Sequence, residues 1–174
     1  FRLVAECMGI AVTTEQADIL EGSDGADVID ALGGDDWLTG YLGVDDLTGG
    51  AGMDTVSLAF VSEAYLSQRM DLIQRIAFMA STFSIDFSAG TITRILDAPG
   101  AQSVMVATIA SFENAEGGEA RDLFRGAGGD NSFSGGGHDD RFIWDGGSDT
   151  YDGGAGRDGI AFSLSATGIT FDLQ

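Results

Sequence analysis

The chain has 174 residues, enough for one or two domains with a packed core. Its 28 acidic against 8 basic residues leave a formal charge of −20, which argues against nucleic-acid backbones and anionic membranes as partners and asks for a cation. Twenty-seven glycines and a single proline imply turns built on positive φ, while 44% apolar residues and 11 phenylalanines are too many for a chain without a core.

Residues 1–21 read as an N-terminal strand and lead-in. Cys7 is the only cysteine, so no intrachain disulfide can form, and it reads as a small core residue of that strand. No apolar run reaches membrane-spanning length, and residues 1–20 lack the charge and apolar order of a cleavable signal. The first residue is Phe and the last stretch stops inside a strand-like pattern, so the chain reads as a fragment of something longer.

Residues 22–57 form a first block of four units. Asp27, Asp36, Asp45 and Asp54 recur every nine residues. Each has a glycine two residues before it (Gly25, Gly34, Gly43, Gly52) and an aliphatic residue two after it (Ile29, Leu38, Leu47, Val56). Residues 58–116 then form a connector of ordinary composition. Within it, 62–80 place Tyr65, Leu66, Met70, Ile73, Ile76, Ala77 and Ala80 at helical spacing behind a Ser62 cap, predicting one amphipathic helix packed on the rest. Only Arg69 and Arg75 are basic there, which disfavours a membrane-surface role. Residues 83–96 and 103–110 read as strands around a DAPG turn at 97–100.

A second block of five units fills 117–161: GGEARDLFR, GAGGDNSFS, GGGHDDRFI, WDGGSDTYD and GGAGRDGIA. Its sixth positions are Asp122, Asn131, Asp140, Asp149 and Asp158, and its eighth positions are Phe124, Phe133, Phe142, Tyr151 and Ile160. Residues 162–174 begin a second connector, because DGIAFSL after the second block resembles DTVSLAF after the first.

These units resemble the nonapeptide GGxGxDxUx of the RTX (repeats-in-toxin) family, U being a large apolar residue. The resemblance covers 81 residues in nine phased units. It implies an all-β fold, a parallel β-roll (right-handed β-solenoid) in two blocks, with a connector containing strands and one helix. It also implies Ca2+ as the bound ion, held by Asp carboxylates and by backbone carbonyls of the first five positions. The stretch ASFENAEGGEARD, 110–122, resembles the family's IENVxG lead-in, which makes Asn114 a turn residue. Leu32, Tyr41, Ala120, His138 and Trp144 depart from the glycine pattern. With no second histidine in the chain, His138 reads as a solvent-facing turn residue.

The residues make such binding reasonable. Nine residues accommodate a short strand and a six-residue turn, so two units complete one coil and Asp residues eighteen apart meet on one edge. Stacked strands lie about 4.8 Å apart and calcium about 2.4 Å from each oxygen, so two carboxylates on adjacent rungs can share one ion. This predicts the pairs Asp27–Asp45, Asp36–Asp54, Asp122–Asp140, Asn131–Asp149 and Asp140–Asp158, about five ions in all, with carbonyls near Gly25, Gly34, Gly43, Gly52, Gly129, Gly147 and Gly156 completing the shells. Asn131 offers a neutral oxygen and so a weaker site. The eighth positions point inward and their polar neighbours outward, while Trp37, Leu123 and Ile143 break that alternation.

Nothing assembles a nucleophile, a base and an orienting group, so the chain is expected not to be an enzyme. The resemblance implies a secreted or cell-surface bacterial protein, exported unfolded by type I secretion and folded outside by calcium. Its parent could be an adhesin-like array, or a secreted protease, lipase or polysaccharide epimerase that uses the module as an accessory. Besides calcium, the expected partners are neighbouring repeats or domains and polysaccharide, with no nucleic acid and no membrane insertion.

Overall fold

The computed structural model describes residues 2–4 as backbone and residues 13–59, 67–68, 81–96 and 104–162 in full. Cys7, the DAPG turn, residues 163–174 and all but two residues of the helix expected over 62–80 lie outside them.

The described residues are all-β. In chain order the strands are β1 (Arg2–Val4), β2 (Ile19–Glu21), β3 (Val28–Asp30), β4 (Trp37–Thr39), β5 (Asp45–Thr48), β6 (Thr55–Ser57), β7 (Thr82–Asp86), β8 (Thr91–Ile95), β9 (Val104–Ala110), β10 (Asn114–Glu116), β11 (Arg121–Arg125), β12 (Ser132–Ser134), β13 (Arg141–Trp144), β14 (Thr150–Asp152) and β15 (Gly159–Phe162). Within the blocks each nonapeptide gives one short strand around its apolar eighth residue, and successive strands alternate between two sheets. The product is the parallel β-roll that the repeat implies.

The first sheet has the order β1-β2-β4-β6-β10-β12-β14 and is parallel throughout. Its register advances by eighteen residues per rung inside each block, as in Trp37↔Thr55 and Ser132↔Thr150. Between the blocks Thr55 pairs directly with Asn114, so the two blocks stack as one roll on this side. Asn114 is therefore the first residue of a strand, not of a turn: its backbone N–H donates to Asp54 O at 2.9 Å.

The second sheet runs β15-β13-β11-β7-β8-β9-β5-β3. Where a regular coil would insert one strand between β5 and β11, the connector inserts three, with β8 antiparallel to both β7 and β9. The stretch 83–96, expected as one strand, is thus a hairpin. Its turn at 87–90 is set by Asp86, whose Oδ1 accepts from Ser88 Oγ (2.6 Å) and Ala89 N (2.9 Å), and by Gly90 at φ 65°. Two extra strands widen this sheet by about 10 Å relative to the first. A cavity of about 260 Å3 lies where the sheets diverge, between Leu42, Leu47, Val56, Phe83, Ile92 and Val106.

The eighth positions form the core. Leu20, Ile29, Leu38, Leu47 and Val56 are buried in the first half, and Ala115, Phe124, Phe133 and Phe142 in the second. Phe83, Ile85, Ile92 and Ile109 of the connector join the same cluster, so blocks and connector share one core. The second half is a ladder of rings, with Phe124 and Phe142 stacked at 5.1 Å and Phe142 and Tyr151 tilted at 5.2 Å. Trp37, which breaks the alternation, is half-buried and donates from Nε1 to Glu116 Oε2 at 3.0 Å.

Phe124 is fully buried, whereas Ile160, in the same position two rungs on, is 39% exposed. Truncating Phe124 to Ala is expected to cost about 3–5 kcal/mol, and Ile160→Ala less than about 1 kcal/mol. Chemical denaturation in excess calcium checks both; equal losses would contradict this packing.

Candidate metal centre

The turns between strands carry the acidic residues, and the backbone there is held in an uncommon shape. In most units the second and fourth positions adopt positive φ, for example Gly50 at 108° and Gly34 at 118°, whereas the Asn131 unit has it at the third, Gly128 at 80°. Leu32 (73°), Tyr41 (64°) and His138 (68°) keep that conformation despite their side chains. The first glycine serves a different purpose. A Cβ at Gly135 would run into Asp140 Oδ2 and lie 2.7 Å from Gly153 O, and one at Gly22 would lie 2.8 Å from both Asp27 Oδ2 and Gly40 O. Glycine thus keeps open a space bounded by a carboxylate of its own turn and a carbonyl of the next rung.

Rung-to-rung contacts follow the eighteen-residue spacing. The backbone N–H of Asp27 donates to Asp45 Oδ1 (3.1 Å), that of Asp36 to Asp54 Oδ1 (2.9 Å) and that of Asp122 to Asp140 Oδ1 (2.8 Å). Asn131 donates likewise to Asp149 (3.0 Å) and Asp140 to Asp158 (2.9 Å). Every expected pair is therefore in direct contact. Asp36, Asp45, Asp54, Asp122, Asn131 and Asp140 are buried, Asp27 and Asp149 half-buried, and Asp158 exposed. Carbonyls of Gly25, Gly34 and Gly129 face Gly43, Gly52 and Gly147 on the next rung, where any side chain would collide with them; Gly156 faces His138 O in the same way. A parallel ladder runs through the fifth positions, where Asp35, Asp130 and Asp139 accept from the N–H groups of Met53, Ser148 and Arg157.

Two further acids belong to the array and were not expected. Asp18 N donates to Asp36 Oδ1 at 2.8 Å, which adds a rung before the first block. Glu113 Oε2 accepts from Asp54 N at 3.0 Å, so a residue of the connector takes the place of the next Asp. Asn131 Nδ2 in turn donates to Glu113 O at 3.1 Å. One edge of the roll therefore reads Asp18, Asp36, Asp54, Glu113, Asn131, Asp149 without a gap. The other edge is interrupted, because Asp45 is in register with Ala107 and Asp122 with Phe83. Both missed acids stand nine residues before the first recognised Asp of a block, with Leu20 and Ala115 in the apolar place two residues on. Neither unit has glycines in its turn, which is why the motif hides them.

Whether calcium fits can be judged from the oxygens that the protein does not satisfy. Asp36 Oδ2, Asp54 Oδ2, Asp122 Oδ1, Asn131 Oδ1 and Asp140 Oδ2 are buried without a hydrogen-bond partner. A buried carboxylate oxygen with no partner is strongly unfavourable, and a cation removes the penalty. Among the described residues no three His, Cys, Asp or Glu side chains converge on one point, so carbonyls must supply most of each shell. An all-oxygen set of this kind suits a hard cation such as calcium.

Without a cation the carboxyls resist ionisation. Burial, reinforced by Asp27, pushes Asp45 up to about 7 against the pull of the Asp27 N–H. Burial, reinforced by Asp140, pushes Asp122 up to about 8, and burial with Asp158 nearby pushes Asp140 up to about 6. Asp36 and Asp54 are raised for the same first reason. A carboxyl whose folded value is raised binds its proton more tightly in the fold than in the open chain. The calcium-free fold is therefore favoured below the ordinary carboxyl range and loses that support as pH climbs through about 6 to 8. Circular dichroism in chelator should show β-structure gained as pH falls from about 8 to about 5. In excess calcium the same acidification should weaken the fold, because protons compete with the ion. A chelator signal that gains no β-structure on acidification would contradict this account of the buried acids.

The RTX calcium-binding nonapeptide repeat model matches the chain in four copies, at residues 12–47, 21–56, 116–150 and 145–160, together more than half of its length. No curated protein matches it. With repeat, roll and carboxylate ladder in agreement, the chain belongs to the RTX family of calcium-binding nonapeptide-repeat proteins.

Proposed function

We propose that this calcium-binding β-roll serves as a calcium-triggered folding module of a secreted or cell-surface bacterial protein, leaving the cell unfolded by type I secretion and becoming rigid outside. Its role is structural, and we assign it no reaction of its own. The observation that carries the reading is the recurrence, rung after rung, of buried carboxylate oxygens left without a partner. The pairs Asp27–Asp45, Asp36–Asp54, Asp122–Asp140, Asn131–Asp149 and Asp140–Asp158 would hold the ions together with turn carbonyls. Calcium supplies the positive charge that lets these acids ionise in place.

The coupling to folding follows from energetics. In the absence of calcium, acids on one edge repel one another, and ordering glycine-rich turns carries a high entropic cost. A site that does not exist in the open chain turns binding energy into folding energy. Extracellular calcium modules bind at about 10⁻⁴ to 10⁻³ M, so such a chain stays open where calcium is scarce and folds where it is plentiful. No helix among the described residues is long and apolar enough to cross a membrane.

Circular dichroism at neutral pH is expected to show an open chain in excess chelator and a β-rich one in millimolar calcium. A chain already β-rich in chelator at that pH would refute the proposed trigger.

A further inference from the structure

One rung departs from the pattern in two places at once. Asn131 is the neutral residue among the described sixth positions. It is 7% exposed, and its Oδ1 is buried without a partner. Its mate one rung on, Asp149, already has both oxygens engaged: Oδ1 accepts from Asn131 N (3.0 Å) and Oδ2 from the Tyr151 hydroxyl (2.7 Å). This pair offers one negative charge where Asp122 with Asp140 offers two.

The second departure is Asp145, in the second position of the unit that carries Asp149, where the repeat has glycine. Asp145 Oδ1 is also buried without a partner. Gly126 locates the two orphaned oxygens relative to each other: a Cβ built there would lie 2.5 Å from Asn131 Oδ1 and 3.0 Å from Asp145 Oδ1. Both oxygens therefore border the same space beside Gly126 from adjacent rungs, where one ion can be shared between them. At the equivalent glycines, Gly117 and Gly135, the atom contributed by the next rung is a backbone carbonyl, of Gly135 and Gly153 respectively. A carboxylate therefore replaces a carbonyl at the rung where an amide replaces a carboxylate.

We infer that Asn131, Asp145 and Asp149 form a calcium site in which Asp145, outside the repeat's sixth position where its side-chain ligands stand, supplies the charge that Asn131 lacks. Ligand charge sets the affinity of calcium sites, so this one is no weaker than its neighbours. The inference rests on the calcium reading proposed above and goes beyond it by assigning a ligand that the nonapeptide pattern does not contain.

The test is calcium titration by calorimetry on the full chain, comparing wild type, Asp145→Asn and the exchange variant N131D/D145N. Asp145→Asn is expected to weaken one ion by about tenfold or more while the rest bind as before. The exchange variant, with its carboxylate back in the sixth position, is expected to return that ion to within about threefold of wild type. The inference is overturned if Asp145→Asn binds calcium like wild type, or if the exchange variant keeps the single variant's loss, whether by weak binding or by not folding. A wild-type chain that takes up no calcium would sink the module's calcium reading itself, a result readily told apart from either.

Discussion

The structure depends on the meeting of carboxylates one rung apart inside a region that excludes water. Asp36, Asp54 and Asp140 each spend one oxygen on the backbone N–H of the rung before, as Asp54 does for Asp36, and leave the other buried without a partner. The N–H donors lower the carboxyl affinity for protons, yet burial dominates and keeps Asp45, Asp122 and Asp140 raised. The protein alone does not balance this charge. Turn shape, glycine placement and strand register all serve to hold that imbalance at a fixed spacing, where a divalent ion resolves it.

Around that constraint the two sheets behave differently. The first carries the ladder through the whole described roll, with Glu113 bridging from Asp54 to the Asn131 rung. Glutamate suits the place because the turn before it is short. Ser111, at φ 57°, starts it directly after β9, and Glu113 ends it before β10, so the longer side chain reaches where a regular turn would have carried an aspartate. The second sheet gives up continuity to accommodate the β7–β9 insertion, and its acidic edge is divided by Ala107 and Phe83. Among the described residues the acidic ladder thus crosses the connector on one face.

Much of this was legible in the residues. Periodicity of nine sets which acids meet, because a two-unit coil leaves no other partner on the same edge. The eighth-position core was legible for the same reason. What escaped was whatever kept the period without the composition. Asp18 and Glu113 stand in phase but follow Gln16 and Phe112 in place of glycine-rich turns. The β7–β8 hairpin was hidden because Asp86, Ser88 and Gly90 form a turn inside an otherwise strand-like run. Asn114 was drawn toward a turn by its resemblance to a lead-in, whereas its pairing with Thr55, 59 residues away, belongs to tertiary structure and has no local signature.

The junction between β6 and β10 has a consequence for how such proteins lengthen. Because Thr55 and Asn114 are neighbours, the intervening chain has only to leave and return to one spot on the roll. Closing a loop grows costlier only as the logarithm of its length, by about 0.6 kcal/mol per doubling. The roll thus possesses a splice point at which inserts of very different sizes can leave and return on one flank while the strand pairing of the opposite flank stays unbroken.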